Sequence, residues 1–443
     1  MPQINRIFSA TLLIIAFLFS PSVFAAGFSP FIQIATVPAV WKDGKVDHVA
    51  TYTRAADVAF KIAAFVAKKD ESTLGLSESN WVLGGAPEGA TVKDADVKAA
   101  ILDVPTNQPI NPSVAYSVTN TKKINIIELC NQVFASKALG ITPVVGTTRV
   151  ANGHLHATAL PCEVAVYADG YDIKIEMLNA EAIFSLFFTD VLFGKQMQNQ
   201  AFATAIQKLP VQVNTELPAI IYQALTDAKV TYWADNWSKG PWFSDEWDMV
   251  RALLSTPMNS PYVHFTYSKV DGKIFSDDEV LTVAKTIIAT LTVNGTTGAG
   301  VHDAALDAQL STGSQWRSAR PAPLSLPGGI KLIEGCSPMY AKQALTTGFY
   351  HATALPCEMA VMKSADSKQL LISFLDPHFM FNALFSDAFD NMTAEQLTAF
   401  ATLPDIVLDD LQIIVDYALD VNLPKTGIKL MPPVSFYYDM LPF

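Results

Sequence analysis

A chain of 443 residues is long enough for two domains of ordinary size, each able to bury a core without covalent staples. Half of its residues are apolar and 16% are charged, a balance that implies large cores, a homo-oligomer interface or an apolar ligand cavity. A net charge of −12 with no basic cluster excludes nucleic acid and anionic membrane surfaces as expected partners.

The chain opens with Arg6, a short apolar run over residues 11–19, and Val23-Phe24-Ala25, which sets small residues where a signal peptidase reads. Residues 1–25 therefore read as a signal peptide cleaved after Ala25, and the expected location is periplasmic or secreted. The run is shorter than the roughly 20 residues a membrane span needs, and Pro21 follows it. The most apolar later stretch, residues 183–193, is also short and contains Asp190, so no span is expected in the mature chain.

The phrase His-Ala-Thr-Ala-Leu-Pro-Cys-Glu occurs twice, at 156–163 and 351–358, and marks an internal duplication. Upstream, Ile127-Glu128-Leu129-Cys130 matches Ile333-Glu334-Gly335-Cys336, and Phe134-Ala135 with Ala138-Leu139 matches Tyr340-Ala341 with Ala344-Leu345. The second copy then lacks eleven residues, which in the first carry the loop composition of Pro143, Gly146 and Thr147-Thr148. Downstream, Phe184, Phe188 and Asp190 match Phe381, Phe385 and Asp387, and Leu209-Pro210 with Leu217 matches Leu403-Pro404 with Leu411.

Within the first unit, residues 123–129 read as a strand and 131–139 as a helix, which puts Cys130 at their junction. Residues 162–167 and 173–177 read as strands joined at Asp169-Gly170. Residues 182–193 read as a buried helix and 216–227 as an amphipathic one. In the earlier segment, Trp81-Val82-Leu83-Gly84-Gly85 reads as a strand entering a turn. Strands and helices grouped in this way imply an α+β fold of two tandem two-layer units, each a mainly antiparallel sheet with helices on one face.

A strand ending in Ile-Glu-x-Cys, a helix with Ala-x-x-Ala-Leu, and Leu-Pro-Cys leading into a Val-rich strand together resemble the bacterial and archaeal domain-of-unknown-function family 302. The resemblance covers about residues 120–190 and 260–390. It implies a small two-layer α+β unit with TATA-box-binding-like topology and implies no activity. The tandem, exported form departs from that family's usual single short domain.

The polar residues that repeat are Glu128, Cys130, His156, Cys162 and Glu163, with Glu334, Cys336, His351, Cys357 and Glu358 in the second copy. Three readings stand side by side. One is a disulfide within each unit, Cys130 with Cys162 and Cys336 with Cys357, suited to an oxidising compartment. A second is a zinc or copper site built from two thiolates, an imidazole and a carboxylate, with His154 as a further donor if it shares a strand face with His156. A third is thiol redox chemistry, favoured by the position of Cys130 and Cys336 before helices and opposed by Glu128 and Glu334 two residues away. No nucleophile, Walker or dinucleotide fingerprint accompanies them, so no catalytic residue is assigned.

Between the units, Trp233, Trp237, Trp242 and Trp247 lie among Asp235, Asp245 and Glu246. Such a mixture suits sugars or a cationic ligand. Gly240-Pro241 interrupts it, and rings buried at a junction between domains are the expectation. The domain reading is a first unit with an N-terminal extension over 26–228, a Trp-rich junction over 229–258, and a second unit with a C-terminal tail over 259–443. The expected function is an exported binding or assembly module for a small ligand or a protein partner. The rival is a metal-binding or thiol-redox enzyme that uses the same residues.

Overall fold

Two copies of one sheet, built in the same strand order, meet through the faces that their helices leave open. The structure is a computed structural model and describes residues 29–68, 81–86, 92–117, 119–140, 153–188, 200–241, 261–291, 304–355, 358–389 and 392–436. The expected signal peptide, Asp190, Trp242, Trp247 and Cys357 lie outside the described residues.

The first unit contains β1 (Phe31–Pro38), a ribbon of β2 (Trp41–Lys42) and β3 (Lys45–Val46), α1 (His48–Lys68), β4 (Trp81–Leu83), α2 (Asp94–Ala100), β5 (Leu102–Pro109), β6 (Thr121–Asn131) and α3 (Gln132–Ala138). A 3-10 arm (Gly153–Ala159), β7 (Glu163–Asp169), β8 (Asp172–Leu178), α4 (Ala180–Phe187), α5 (Gln200–Asp227) and β9 (Trp233–Lys239) complete it. The second unit runs through β10 (Tyr262–Ser268), α6 (Asp277–Leu291), α7 (Ala304–Asp307), β11 (Arg317–Ser318), β12 (Leu324–Leu326), β13 (Ile330–Cys336) and α8 (Pro338–Ala344). It closes with a second 3-10 arm (Phe349–Ala354), β14 (Glu358–Lys363), β15 (Gln369–Leu375), α9 (Pro377–Leu384), α10 (Ser386–Phe389), α11 (Ala394–Ala401), α12 (Leu403–Tyr417) and β16 (Val434–Phe436).

The sheets run β4-β6-β7-β8-β1-β9 and β11-β13-β14-β15-β10-β16, with β5 on β6 and β12 on β13. Their pairings are antiparallel. The α+β expectation holds, and the two orders correspond strand for strand. The same local chemistry recurs. Asn131 caps α3 at Val133 and Phe134, and Ser337 caps α8 at Tyr340. Asn179 and Asp376 cap α4 and α9, and their backbone N–H groups donate to the carbonyls of Pro30 and Pro261 at 2.7 and 2.8 Å.

The described part of the segment that precedes the first repeat belongs to the first unit, because β1 lies between β8 and β9 in its sheet. Its equivalents in the second unit are β10 and α6, a correspondence of shape without visible sequence identity. The described part of the expected Trp-rich junction is also part of the first unit. Its residues form β9, which pairs with β1, and Trp233 and Trp237 are 55% and 65% exposed where burial was expected. A strand at the edge of a sheet has one uncovered side, so rings there need not be enclosed. The buried helix expected over 182–193 starts earlier, at Ala180, and is described as far as Phe187.

Consecutive residues of β7 from Val164 to Ala168 are buried, as are Met359 to Met362 of β14. Side chains alternate across a strand, so unbroken burial means that both faces are covered. Helix α1 packs on β6 and β7 of its own unit. The second cover is the other unit: its arm lies against β6, β7 and β8, and the first arm lies reciprocally against β13, β14 and β15. The half-covered sheet of the sequence reading is therefore covered twice. Aromatic rings lock the exchange. Phe31 of β1 meets His351 edge-on at 5.3 Å, and Tyr262 of β10 meets His156 edge-on at 5.5 Å.

Candidate functional site

The repeated polar set divides into three places. The first is covalent: Cys130 and Cys162 are joined with Sγ–Sγ 2.02 Å and Cα–Cα 4.9 Å. Both are buried, beside Trp81, Phe134 and Leu209. Cys336 is buried at the equivalent position, and its expected partner Cys357 lies outside the described residues.

The second place is the aromatic interface around each arm. His351 donates Nε2–H to Asp387 Oδ1 over 3.2 Å, its Nδ1 lies 2.7 Å from Thr347 Oγ1, and the ring stacks on Phe385 at 4.3 Å. Burial holds its imidazole below the usual range, with Asp387 pulling the other way. His156 stacks on Phe188 at 4.4 Å. Both histidines therefore sit in ring stacks, apart from the sulfurs. His154 and His156 lie on a 3-10 arm rather than the strand expected of them.

In the first unit this division removes the metal reading, whereas in the second Cys357 lies outside the described residues. In the first unit the thiolates are spent on each other and the imidazole is elsewhere. Among the described residues no group of three or more His, Cys, Asp and Glu side chains is arranged to hold a metal ion. Zinc and copper thus have no donor set there.

The third place unites the carboxyls. Glu128 and Glu163 are register partners on β6 and β7, and Glu334 and Glu358 are partners on β13 and β14. Partners share a face, and Glu163 shares its face with Tyr167, which meets Phe349 of the second arm. The four carboxyls consequently point into the contact between the units, and all but Glu358 are at most 7% exposed. Arg320 lies among them, 3% exposed, with Nη1 on Glu128 and Nε 2.6 Å from Glu334 Oε2.

Arg320 gave no signal in the sequence, since Ser-Ala-Arg-Pro-Ala matches no motif and has no counterpart in the first copy. Its counterpart in space is Gly85. The Gly84 N–H donates to the Glu128 carbonyl at 2.9 Å and the Ala319 N–H donates to the Glu334 carbonyl at 2.8 Å, so the residues that follow are equivalent. Gly85 has φ +77°, and a Cβ there would come within 2.7 Å of Arg320 Cδ; a Cβ on Gly84 would overlap the Glu128 carboxylate. The glycine pair makes room for one guanidinium between two Glu pairs.

One cation cannot balance four buried anions. Burial holds Glu163 well above the usual carboxylate range, with Glu334 and Glu358 adding to it. Burial also raises Glu334 against the pull of Arg320, and raises Glu358 to about 8, with Glu334 adding and Arg320 opposing. Burial and the neighbouring carboxyls thus favour the protonated forms of Glu163 and Glu358.

These two acids line a cleft of about 440 Å³ counted to its open mouth. Its lining repeats as the chain repeats: Thr158 with Thr353, Leu160 with Leu355, and Glu163 with Glu358. Leu178, Ile183, Leu375 and Met380 add apolar wall. The Thr158 hydroxyl is buried without a hydrogen-bond partner among the described residues. A scan against family models, a search of curated proteins and a search of solved structures each returned no match.

Three outcomes are expected. Replacing Cys162 with Ser opens a loop of 32 residues and should cost about 3 to 4 kcal/mol in denaturant unfolding under non-reducing conditions. Replacing Arg320 with Met leaves Glu128 and Glu334 without their cation, and should cost about 3 to 5 kcal/mol, partly recovered when Glu128→Gln is added. The third concerns pH. Glu358 keeps its proton in the fold up to about 8, whereas the unfolded chain loses it near 4.5. The contribution of Glu358 to stability should therefore be present in acid and be lost as pH rises from about 5 to 8.5, on the order of 4 kcal/mol. His378, raised to about 9 by Asp376, acts in the same direction, so the readout is the difference in Tm against pH between wild type and Glu358→Gln, whose curve should be flatter.

Proposed function

We propose that the protein is an exported binding module whose ligand seat is the cleft shared by the two repeats. The observation that carries this reading is the pairing of cleft residues from both copies around two carboxyls and a buried hydroxyl that has no hydrogen-bond partner among the described residues. A site that uses the contact between units requires both units, which accounts for a tandem chain. The seat suits a small polar head with an apolar tail, since its inner space has the size of a water or two and its walls are aliphatic.

The leader-like start and the buried Cys130–Cys162 bridge support export to an oxidising compartment. The similarity to domain-of-unknown-function family 302 belongs with this proposal, and adds no activity to it. Thiol chemistry is the weaker reading, because both sulfurs of the first unit are buried and bonded.

Saturation-transfer NMR with three six-carbon probes, hexan-1-ol, hexanoate and hexylamine, tests the seat. At least one probe should receive saturation from the wild type. The transfer should disappear in Thr158→Leu, which fills the cleft, while circular dichroism shows that the variant remains folded. Silence from all three probes, or equal transfer in the variant, overturns the reading.

A further inference from the structure

The cleft is mostly apolar, its two ionisable lining residues are both acidic and no cation lines it, and that shortage selects among head groups. Behind Glu163 and Glu358 stand Glu128 and Glu334, and Arg320 is the cation within the cluster. Arg320 already engages Glu128 and Glu334, so the two acids that line the cleft face it without a cation of their own. Each stays neutral because ionising it would add a buried negative charge beside another.

Resting on the cleft reading above, we infer that the ligand is a primary alkylammonium, its –NH3+ head between Glu163 and Glu358 and its chain along the aliphatic walls towards the mouth. The size is right. An ammonium head is close to a water in volume, which the inner space admits, whereas a guanidinium or a quaternary ammonium is larger. Hydrogen bonding is also right. The head offers three donors and no acceptor, and the cleft supplies carboxyl oxygens from both units and the hydroxyls of Thr158 and Thr353. The Thr158 oxygen, which lacks a partner among the described residues, gains one.

The charge balance fixes a signature. The amine arrives protonated, one cleft carboxyl loses its proton to solvent, and the bound state is an ammonium–carboxylate pair of no net charge. Binding thus releases one proton per ligand at neutral pH. The groups that set this step are Glu163 and Glu358 on β7 and β14, Glu128 and Glu334 on β6 and β13, Arg320 after β11, and Cys336 at the end of β13. A carboxylate ligand would meet the opposite situation, a buried anion among acids. An alcohol would bind without moving a proton.

Isothermal titration of the full chain with hexylamine, in phosphate and in HEPES at pH 7, separates the outcomes through the buffers' different heats of ionisation. Hexylamine should bind at least tenfold more tightly than hexan-1-ol and release about one proton. Its affinity should rise from pH 6 to pH 8, and hexanoate should not bind. Glu163→Gln and Glu358→Gln should each weaken hexylamine about tenfold or more, well beyond any effect on hexan-1-ol, and reduce proton release. If hexan-1-ol or hexanoate binds as tightly as the amine, or the amine binds without proton release, the ammonium inference falls and the cleft stands. If none of the three binds, both fall.

Discussion

The structure depends on carboxyls that both repeats bury against each other. Each unit has a sheet whose helices cover one face only, and the residues on the other face, Glu163 and Tyr167 in one and Glu358 in the other, would stand in water if the units parted. Reciprocal seating of the two arms closes these faces. It also traps Glu128, Glu163 and Glu334 away from solvent and partly buries Glu358, a cost of several kcal/mol for each buried group that kept its charge. Two features keep that cost tolerable: Arg320 pairs with one carboxyl from each unit, and the remaining acids hold their protons. The union of the units and the chemistry of the cleft are thus one arrangement.

Much of this was legible. The duplicated phrase marks the two units, strands and helices grouped along each unit imply the α+β class, and the Cys130–Cys162 disulfide is one of the three readings that the repeated cysteines leave open. Other parts had no local signal. Only an antiparallel register brings Glu128 opposite Glu163, and only contact between units brings that pair to Glu334 and Glu358. The sequence reading kept His156 and His351 with the cysteines because they are neighbours along the chain. The arms carry them instead into ring stacks at Phe188 and Phe385, since a 3-10 segment turns side chains away from the strand that follows. The strand β1 has no counterpart by sequence because burial asks only for apolar side chains, and Phe31-Ile32 and Tyr262-Val263 meet that need with different letters.

The departure from symmetry is as informative as the symmetry. Four carboxyls, one pair from each sheet, surround a place where equivalent positions of the two units converge, and those positions are held by Arg320 and Gly85. A guanidinium at both would put two cations and two long side chains into space that already excludes a Cβ at Gly85. A symmetric pair of identical chains would have to carry Arg at both positions or at neither, leaving either a steric conflict or four acids with no cation. A single chain that contains both units escapes that choice, because each copy can change alone. One cation then suffices to join the units through Glu128 and Glu334, and the two acids it does not engage, Glu163 and Glu358, are left at the cleft to answer a charge that comes from outside.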